Sequence, residues 1–213
     1  MDQPLASALH SGCSALGLTL ESTQEAMLLE YLELLIKWNK AYNLTAVREP
    51  LQMIPRHLLD SLAISSYIKG QRLLDVGSGA GLPGVPMAIL HPQREFHLLD
   101  SNGKKTRFLF QVKTALGLDN MTVHHARVEG FQANVPYDVV LSRAFASLHD
   151  MVAGCRHLLA PGGRFLAMKG IYPSQELGAI EQECEVGAVH PLVVPGLAEQ
   201  RHLVEMRLRS LDR

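Results

Sequence analysis

The sequence contains few cysteines, and none of them forms a paired motif. The cysteines are Cys13, Cys155 and Cys184, an odd and scattered set without a CxxC pair. This pattern argues against both a disulfide framework and a zinc site. We therefore expect no bound metal ion and a reducing compartment, the cytoplasm.

The sequence also lacks a long apolar run and an excess of charge. No segment approaches the roughly 18 consecutive apolar residues of a membrane-spanning helix, and the segment MDQPLASALH has no basic region followed by an apolar one, so we expect neither a signal peptide nor a membrane partner. Basic residues number 20 and acidic residues 21. The protein as a whole is therefore not positively charged, and any polyanionic partner must bind a local basic patch on its surface.

Helical patterns dominate the first third of the chain. The sequence Ser22-Thr23-Gln24-Glu25 has the form of a capping box, and apolar residues then recur at spacings of three and four. These residues are Leu28, Tyr31, Leu32, Leu35, Trp38 and Tyr42. We expect a single domain over residues 1–213, in which residues 1–69 form a helical amino-terminal extension and residues 70–213 form the core.

The pattern changes at Gln71 to alternating strands and helices. The predicted strands are Arg72–Val76, Glu95–Leu99, Met121–Ala126, Tyr137–Ser142 and Gly163–Met168. The predicted helices are Pro83–His91, Lys104–Leu116, Leu148–Leu159 and Ser174–Glu183. This alternation is typical of an α/β fold with a parallel sheet covered on both faces. Two further strands, Ala188–Val194 and His202–Arg209, are joined by a loop too short for a helix, which predicts an antiparallel terminal hairpin.

The segment LLDVGSGAGLPG, Leu73 to Gly84, joins the first predicted strand to the first predicted helix. Glycines in such a turn permit positive φ and let the backbone approach a ligand closely, and open sheets bind ligands at this edge. Gly79, Gly81 and Gly84 spell GxGxxG, a weak signal on its own. Asp100 ends the next predicted strand, where a carboxylate can accept both hydroxyls of a ribose. The pattern predicts an adenosine-containing ligand, either a nicotinamide dinucleotide or S-adenosylmethionine.

Three features favour S-adenosylmethionine. Asp75 lies two residues before Gly77, a spacing common in methyltransferases, where the acid can face the amino-acid part of the ligand. After the third strand, Val128 can cover an adenine and Glu129 can accept a hydrogen bond from its exocyclic amine. The terminal antiparallel hairpin is typical of the seven-stranded methyltransferase sheet. It is not typical of either half of the dinucleotide-binding domain of a dehydrogenase.

The sequence resembles the bacterial rRNA small subunit methyltransferase G family, also called glucose-inhibited division protein B. The matching stretches are Trp38–Arg48, Arg56–Leu62, Leu73–Pro86, Leu98–Leu109, Ala126–Phe131, Leu141–Leu148, Met168–Gly170 and Gln200–Val204. They run in order over nearly the whole chain, which makes the set specific. The resemblance implies a Rossmann-like class I fold and S-adenosylmethionine-dependent methylation of N7 of guanine 527 in 16S rRNA. The implied partner is 16S rRNA, the small ribosomal subunit or its assembly intermediate.

Several positions of this chain match the cofactor-binding positions of the family. The resemblance places cofactor contacts at Gly77, Leu82, Val128, Glu129 and Arg143, and the glycine loop with its following acid adds Gly79 and Asp100. The Arg143 guanidinium is expected to pair with the cofactor carboxylate. Alternatives for the same side chain are a contact with guanine O6 or phosphate and a structural ion pair within the protein.

The residue types near the predicted site agree with a guanine N7 acceptor. Carbon-5 of a pyrimidine usually requires an activating cysteine, and Cys155 and Cys184 both fall in predicted helix patterns, where they suit the core. Guanine N7 carries an unshared lone pair at neutral pH. Methyl transfer therefore requires mainly that N7 be aligned with the methyl group of the cofactor in a pocket that excludes water. No residue is therefore predicted to act as a catalytic base.

A group of basic residues predicts an RNA-binding patch at the carboxyl edge of the sheet. Its predicted RNA contacts are Arg56, Lys104, Lys105 and Lys169, with Arg48 and Arg107 nearby. A solvated helix start is the alternative for the lysine pair. His57 and Asp60 share one helix face and either line the mouth of the pocket or stabilise the helix.

Two other functions remain open from the residues. One is a nicotinamide-dependent oxidoreductase, which binding of NADH rather than S-adenosylhomocysteine would indicate. The other is a non-enzymatic, ribosome-associated module that binds adenosine, which a methyl-transfer assay on rRNA distinguishes from an enzyme.

Overall fold

A seven-stranded sheet forms the centre of the structure, a computed structural model that describes residues 3–143 and 145–209. The strands are β1 Arg72–Val76, β2 Glu95–Asp100, β3 Met121–His125, β4 Tyr137–Ser142, β5 Leu159–Lys169, β6 Cys184–Leu192 and β7 Arg201–Leu208. Their order is β3-β2-β1-β4-β5-β7-β6, with β1 to β5 parallel and β7 antiparallel to both of its neighbours. The predicted mostly parallel sheet with a terminal antiparallel hairpin is confirmed.

Helices cover both faces of this sheet. They are α1 Gln3–Ala15, α2 Ser22–Tyr42, α3 Pro50–Met53, α4 Asp60–Leu62, α5 Gly84–Leu90, α6 Gly103–Leu116, α7 Leu148–Cys155 and α8 Ser174–Ile180. Successive strand residues point to opposite faces, so Leu73 joins the apolar cluster under α1, α2, α5 and α6, while Leu74 joins the cluster under α7 and α8. Strands buried on both faces explain the nearly continuous apolar runs of the sequence.

The amino-terminal helices reach the loop that follows β1. The hydroxyl of Tyr31, on the apolar stripe of α2, is fully buried and donates a hydrogen bond of 2.7 Å to the carbonyl oxygen of Ala80. Farther along α2, the Trp38 ring packs against Phe108 of α6 with ring centroids 5.6 Å apart. The predicted apolar stripe therefore fixes α2 against the sheet layer and supports the glycine loop from behind.

Two predicted boundaries at the amino-terminal side differ from the structure. Helix α2 begins at Ser22, and Gln24 Oε1 accepts the backbone N–H of Glu21, so the predicted Ser22–Glu25 capping box is shifted by one residue. After α3, the chain forms a π-helical turn over Ile54–Leu59, which includes a proline without an N–H to donate to the preceding turn. The helical spacing predicted for this region is thus realised as a series of short turns.

The carboxyl-terminal elements also differ at their ends. The predicted helix Leu148–Leu159 ends at Cys155, and Leu159 already belongs to β5. Strand β6 begins at Cys184 rather than Ala188, so the prediction that Cys184 lies in a helix is wrong. Its pairing with β7 shifts register around Gly187, and such a bulge disrupts the alternation by which the sequence signals a strand.

A cluster of rings on β2, β3 and β4 predicts that stability depends on pH. Nδ1 of His97 lies 2.8 Å from Nε2 of His124 and 3.1 Å from the Tyr137 hydroxyl. Burial, reinforced by the charge of Arg72, lowers the pKa of His97 to about 4. The unfolded chain therefore binds more protons than the folded protein between pH 6.5 and 4, and stability falls as the pH is lowered through this range.

We expect His97→Gln to flatten this acid dependence. The free energy of unfolding of the unmodified protein should fall by about 1–3 kcal/mol between pH 7 and pH 4.5 through this one histidine. Denaturant titrations at both pH values measure it, with the exposed His10→Gln as the matched control. An unchanged pH dependence in His97→Gln would contradict the assignment of the effect to this cluster.

Candidate active site

The glycine loop is held against the end of β2. Gly77 and Gly79 have φ of 68° and 59°, in the left-handed region that favours glycine. The backbone N–H groups of Gly77 and Ser78 donate to the carbonyl oxygen of Leu99 at 2.8 and 3.2 Å. The loop therefore has one defined conformation, with its glycines beside the carboxyl ends of β1 and β2.

Asp100 fixes the loop from the end of β2. Its Oδ2 accepts the N–H of Gly79 at 2.8 Å, and its Oδ1 accepts the N–H of Asn102 at 2.8 Å. The carboxylate is 7% exposed, with Lys105 Nζ 3.9 Å away. Each carboxylate oxygen has two acceptor positions, so Asp100 retains capacity for further donors while it positions the loop.

A cavity of about 320 Å³ opens between the ends of β1, β2 and β3. We call it the β2 cavity. Its lining includes four of the predicted cofactor residues, Gly77, Asp100, Val128 and Glu129. The last two lie on a 3₁₀ turn, Val128–Gly130, that follows β3. The structure therefore brings together at one edge the residues that the sequence assigned to separate strand ends.

A second cavity, of about 200 Å³, is also lined by the glycine loop. We call it the loop cavity. It is lined by the remaining predicted cofactor residues, Gly79, Leu82 and Arg143, and also by Thr45 and His57. Gly77 lines both the β2 cavity and the loop cavity, so the two adjoin at this residue.

A third cavity, of about 310 Å³, adjoins the loop cavity at His57 and Arg143. We call it the basic cavity. Its lining residues are Val47, Arg56, His57, Asp60, Arg143, Met168, Lys169, Gly170 and Arg201. The three cavities thus form one cleft across the carboxyl ends of the strands, the edge where open α/β sheets bind ligands.

Asp60 organises the floor of the basic cavity. This carboxylate is 1% exposed; its Oδ2 accepts from Arg143 Nη1 and its Oδ1 from Arg201 Nε, both at 3.0 Å. Each carboxylate oxygen thus holds one guanidinium group of the cavity wall in place. The ion pair that the sequence left as an alternative for Arg143 is present, and a cofactor contact by the same side chain stays a prediction.

The four residues predicted to contact RNA lie in different surroundings in the structure. Arg56 lines the basic cavity, where it pairs with Glu199. Lys169 lines it too, but its Nζ donates to Glu176 Oε2 at 2.7 Å and its side chain is only 12% exposed. Lys105 lines the β2 cavity. Lys104 is exposed at the start of α6 and lines none of the three cavities.

Asp75 lies behind the glycine loop and lines none of the three cavities, and its contact with the amino-acid part of a ligand stays a prediction. It is 1% exposed, and its Oδ2 accepts the N–H of Gly84 at 2.8 Å. Burial raises the pKa of Asp75 to about 7. Oδ2 of Asp75 therefore anchors the first turn of α5 behind the loop, while Oδ1 is buried without a hydrogen-bond partner among the described residues.

Sequence reasoning missed two residues of the cleft. Arg201 contributes a guanidinium from the start of β7, and Thr45 bonds His57 at 2.8 Å from the segment after α2. Both lie in stretches that carry the family resemblance. No periodicity or spacing signal pointed to either side chain.

Two solved structures that share this fold are methyltransferases. The glycopeptide N-methyltransferase MtfA, solved with S-adenosyl-L-methionine, matches with a TM-score of 0.62 at 13% identity over 72% of this chain and 88% of that chain. A methyltransferase from Thiobacillus denitrificans matches with a TM-score of 0.54 at 11% identity over 71% and 90%. The fold is thus that of the Rossmann-like class I methyltransferases, as predicted.

The chain belongs to the rRNA small subunit methyltransferase G family, whose model matches residues 24–204. It is 54% identical over 202 residues to the family member of Pseudomonas syringae pv. syringae, covering 95% of this chain and 94% of the relative. It is 52% identical over 196 residues to that of Hahella chejuensis, covering 92% and 90%. The prediction of an rRNA methyltransferase is confirmed, and the interpretations as an oxidoreductase or a non-enzymatic module are wrong.

Two further findings concern the described part of the chain alone. Within residues 3–143 and 145–209, no helix is long and apolar enough to cross a membrane. Over the same residues, no group of three or more histidine, cysteine, aspartate or glutamate side chains is placed to hold a metal ion.

Proposed function

We propose that this protein transfers the methyl group of S-adenosylmethionine to N7 of guanine 527 in 16S rRNA. The observation that carries the proposal is the cleft of three adjoining cavities, with a carboxylate at one end, glycines in the middle and guanidinium groups at the other. Membership of an rRNA methyltransferase family supports it. The reaction belongs in the cytoplasm, on the rRNA, the small subunit or its assembly intermediate.

The β2 cavity fits an adenosine group. Asp100 has acceptor capacity left for ribose hydroxyls after its two backbone bonds. Val128 offers an apolar surface to a purine, and Glu129 offers an acceptor to the exocyclic amine. A side-chain carbon built on Gly79 would meet only Gly77 O at 3.8 Å and Lys105 Nζ at 3.9 Å, so the space beside the loop is open to a ligand.

The loop cavity fits the amino-acid part of the cofactor. Gly77 and Gly79 present backbone at positive φ, Leu82 supplies apolar surface, and Arg143 supplies a guanidinium for a carboxylate. When bound, S-adenosylmethionine supplies an electrophilic methyl group on a sulfonium. The cleft then leaves the basic cavity beyond Arg143 and His57 as the place for the acceptor base.

The chain's own residues need only position this acceptor. Guanine N7 has a free lone pair, so the protein must orient the base and exclude water rather than remove a proton. A single-stranded or splayed nucleotide can insert its base into the basic cavity while Arg201 and Arg56 attract the phosphates around it. We infer that residues 1–69 and 70–213 act as one domain, since α2 supports the loop through the Tyr31 bond.

Methyl transfer from labelled S-adenosylmethionine tests the function. The protein is incubated separately with protein-free 16S rRNA, with small subunits and with assembly intermediates from cells that lack the modification. We expect incorporation of one methyl group per rRNA molecule on at least one of these substrates. Reductive strand cleavage, which is specific for 7-methylguanosine, should place it at guanine 527. Label at a different nucleotide, or at a different atom of the same base, would contradict the proposal.

The exposed Lys104 offers the cleanest test of RNA contact outside the cleft. Lys104→Gln should weaken rRNA binding and reduce the slope of log affinity against log salt by about 1, as expected for the loss of one phosphate contact. Affinity for S-adenosylhomocysteine should not change. The matched control is the exposed Lys69→Gln, which precedes β1 at the opposite edge of the sheet. If both variants show the same salt dependence of rRNA binding, Lys104 does not contact the RNA.

A further inference from the structure

His57 lies at the junction between the loop cavity and the basic cavity and lines both of them. The residue is 6% exposed and belongs to the π-helical turn after α3. It therefore stands between the expected site of the methyl donor and the expected site of the acceptor base. The proposed reaction has so far assigned it no role.

One nitrogen of the His57 ring is fixed by the protein. Nε2 lies 2.8 Å from Thr45 Oγ1, and the backbone N–H of Val47 donates to the same hydroxyl oxygen at 3.2 Å. The backbone N–H of Thr45 in turn donates to Asn39 Oδ1 at 2.9 Å, and Asn39 is buried. The ring orientation is thus set by a chain of bonds that leads away from the cleft.

The other nitrogen, Nδ1, is buried and has no hydrogen bond of good geometry among the described residues, although a contact with the backbone of Arg56 raises the pKa of His57. Leaving a buried polar atom unpaired is costly, and His57 lines two cavities, so Nδ1 is a candidate to bond a ligand there. Thr45 Oγ1 already accepts from Val47, so its own hydrogen is available to donate to Nε2. In the tautomer in which Thr45 donates to Nε2, the ring hydrogen is on Nδ1, which is then a donor.

The surroundings keep this ring neutral. Burial lowers the pKa of His57 to about 4, and the positive charges of Arg143 and Arg56 act in the same direction. The backbone of Arg56 and the carboxylate of Asp60 act in the opposite direction without outweighing burial. A neutral donor suits the reaction because methylation of N7 places positive charge on the purine, which a cationic donor would oppose.

We propose that Nδ1–H of His57 donates a hydrogen bond to O6 of the target guanine and so turns N7 towards the methyl donor. This inference rests on the proposed function. O6 and N7 are neighbouring acceptors on one edge of guanine, whereas adenine presents an amino group in place of O6. The same bond therefore orients guanine and rejects adenine. His57 is a residue that contacts and positions substrate, and it exchanges no proton with it.

Two substitutions separate this role from a structural one. The side-chain amide of asparagine reaches the position of Nδ1, and that of glutamine reaches the position of Nε2. His57→Asn should keep kcat/KM for guanine-containing rRNA within about 5-fold, whereas His57→Gln should lower it about 10- to 100-fold, as expected for loss of one hydrogen bond to a buried partner. If His57 acts only through Thr45, the order of the two variants reverses, and the proposal fails.

A change in the substrate tests the same bond without altering the protein. RNA with 2-aminopurine at the target position keeps N7 but lacks O6. The unmodified protein should methylate it about 10- to 100-fold more slowly than guanine RNA, while His57→Gln should treat the two RNAs alike. Equal rates on both RNAs with the unmodified protein would overturn the proposal, even if neither variant folds.

Controls separate failure of this inference from failure of the proposed function. Because His57 lines the loop cavity as well as the basic cavity, calorimetry with S-adenosylhomocysteine measures any change in cofactor affinity for each variant, and the kinetic comparison is made at saturating cofactor. If the unmodified protein methylates guanine N7 but the asparagine and glutamine variants do not differ, only the His57 assignment fails. If it does not methylate guanine N7, both fail together.

Discussion

Gly77→Val is expected to abolish binding of S-adenosylmethionine, with affinity falling at least about 100-fold. Gly77 lines both the β2 cavity and the loop cavity and has a φ of 68°. A branched side chain there would intrude between the adenosine and amino-acid ends of the ligand, and it would also strain the left-handed backbone. Isothermal calorimetry with S-adenosylhomocysteine measures the loss.

The strain and the blocked cavity can be separated with Gly117→Val. Gly117 ends α6 with a φ of 62°, and no atom lies within 4 Å of the position of an added Cβ. This control should lose about 1–2 kcal/mol of stability to the same left-handed strain and bind S-adenosylhomocysteine normally. Retained binding in Gly77→Val, or equal loss in both variants, would contradict the placement of the cofactor beside the loop.

Asp60→Ala is expected to have the second largest effect, on stability and on activity together. Asp60 is buried and accepts from Arg143 and Arg201, so its removal leaves two guanidinium groups without their partner. We expect a loss of about 3 kcal/mol, the lower part of the range for a broken buried ion pair, because both arginines are partly exposed. Displacement of the cavity wall should also lower kcat/KM about 100-fold.

Denaturant unfolding and methyl-transfer kinetics measure the two effects of Asp60→Ala. The matched control is Glu199→Gln, which breaks the exposed pair with Arg56 at the rim of the same cavity. This control should leave the free energy of unfolding unchanged within error, because exposed ion pairs contribute little. If Asp60→Ala behaves like Glu199→Gln, then Asp60 does not organise the basic cavity.

Much of the fold could be predicted because the sheet is regular. β1 and β4 have the bounds that their apolar runs predicted, since buried parallel strands carry apolar residues at almost every position. The start of β6 could not be predicted, because a register shift around Gly187 interrupts its alternation. The cap of α2 was placed one residue late because Gln24 rather than Glu25 bonds back to the helix start.

The glycine-loop end of the candidate site could be predicted from the sequence better than the basic cavity. Gly77 and Gly79 follow β1 and Asp100 ends β2, and parallel topology alone brings such positions together. The Asp60–Arg201 bond joins residues far apart in the sequence, and no local pattern signals it. Likewise, the pairing of Lys169 with Glu176 depends on how α8 packs, so a basic residue predicted to contact RNA is found already paired within the protein.

A crystal structure of the complex with S-adenosylhomocysteine tests the central claim most directly. The account predicts the purine beside Val128 and Glu129, the ribose at Asp100, and the sulfur atom in the loop cavity, facing His57 and the basic cavity. A ligand bound in the reverse direction, with its amino-acid end in the β2 cavity, would contradict the account. So would a ligand bound outside the three cavities, because the basic cavity would then no longer adjoin the methyl donor.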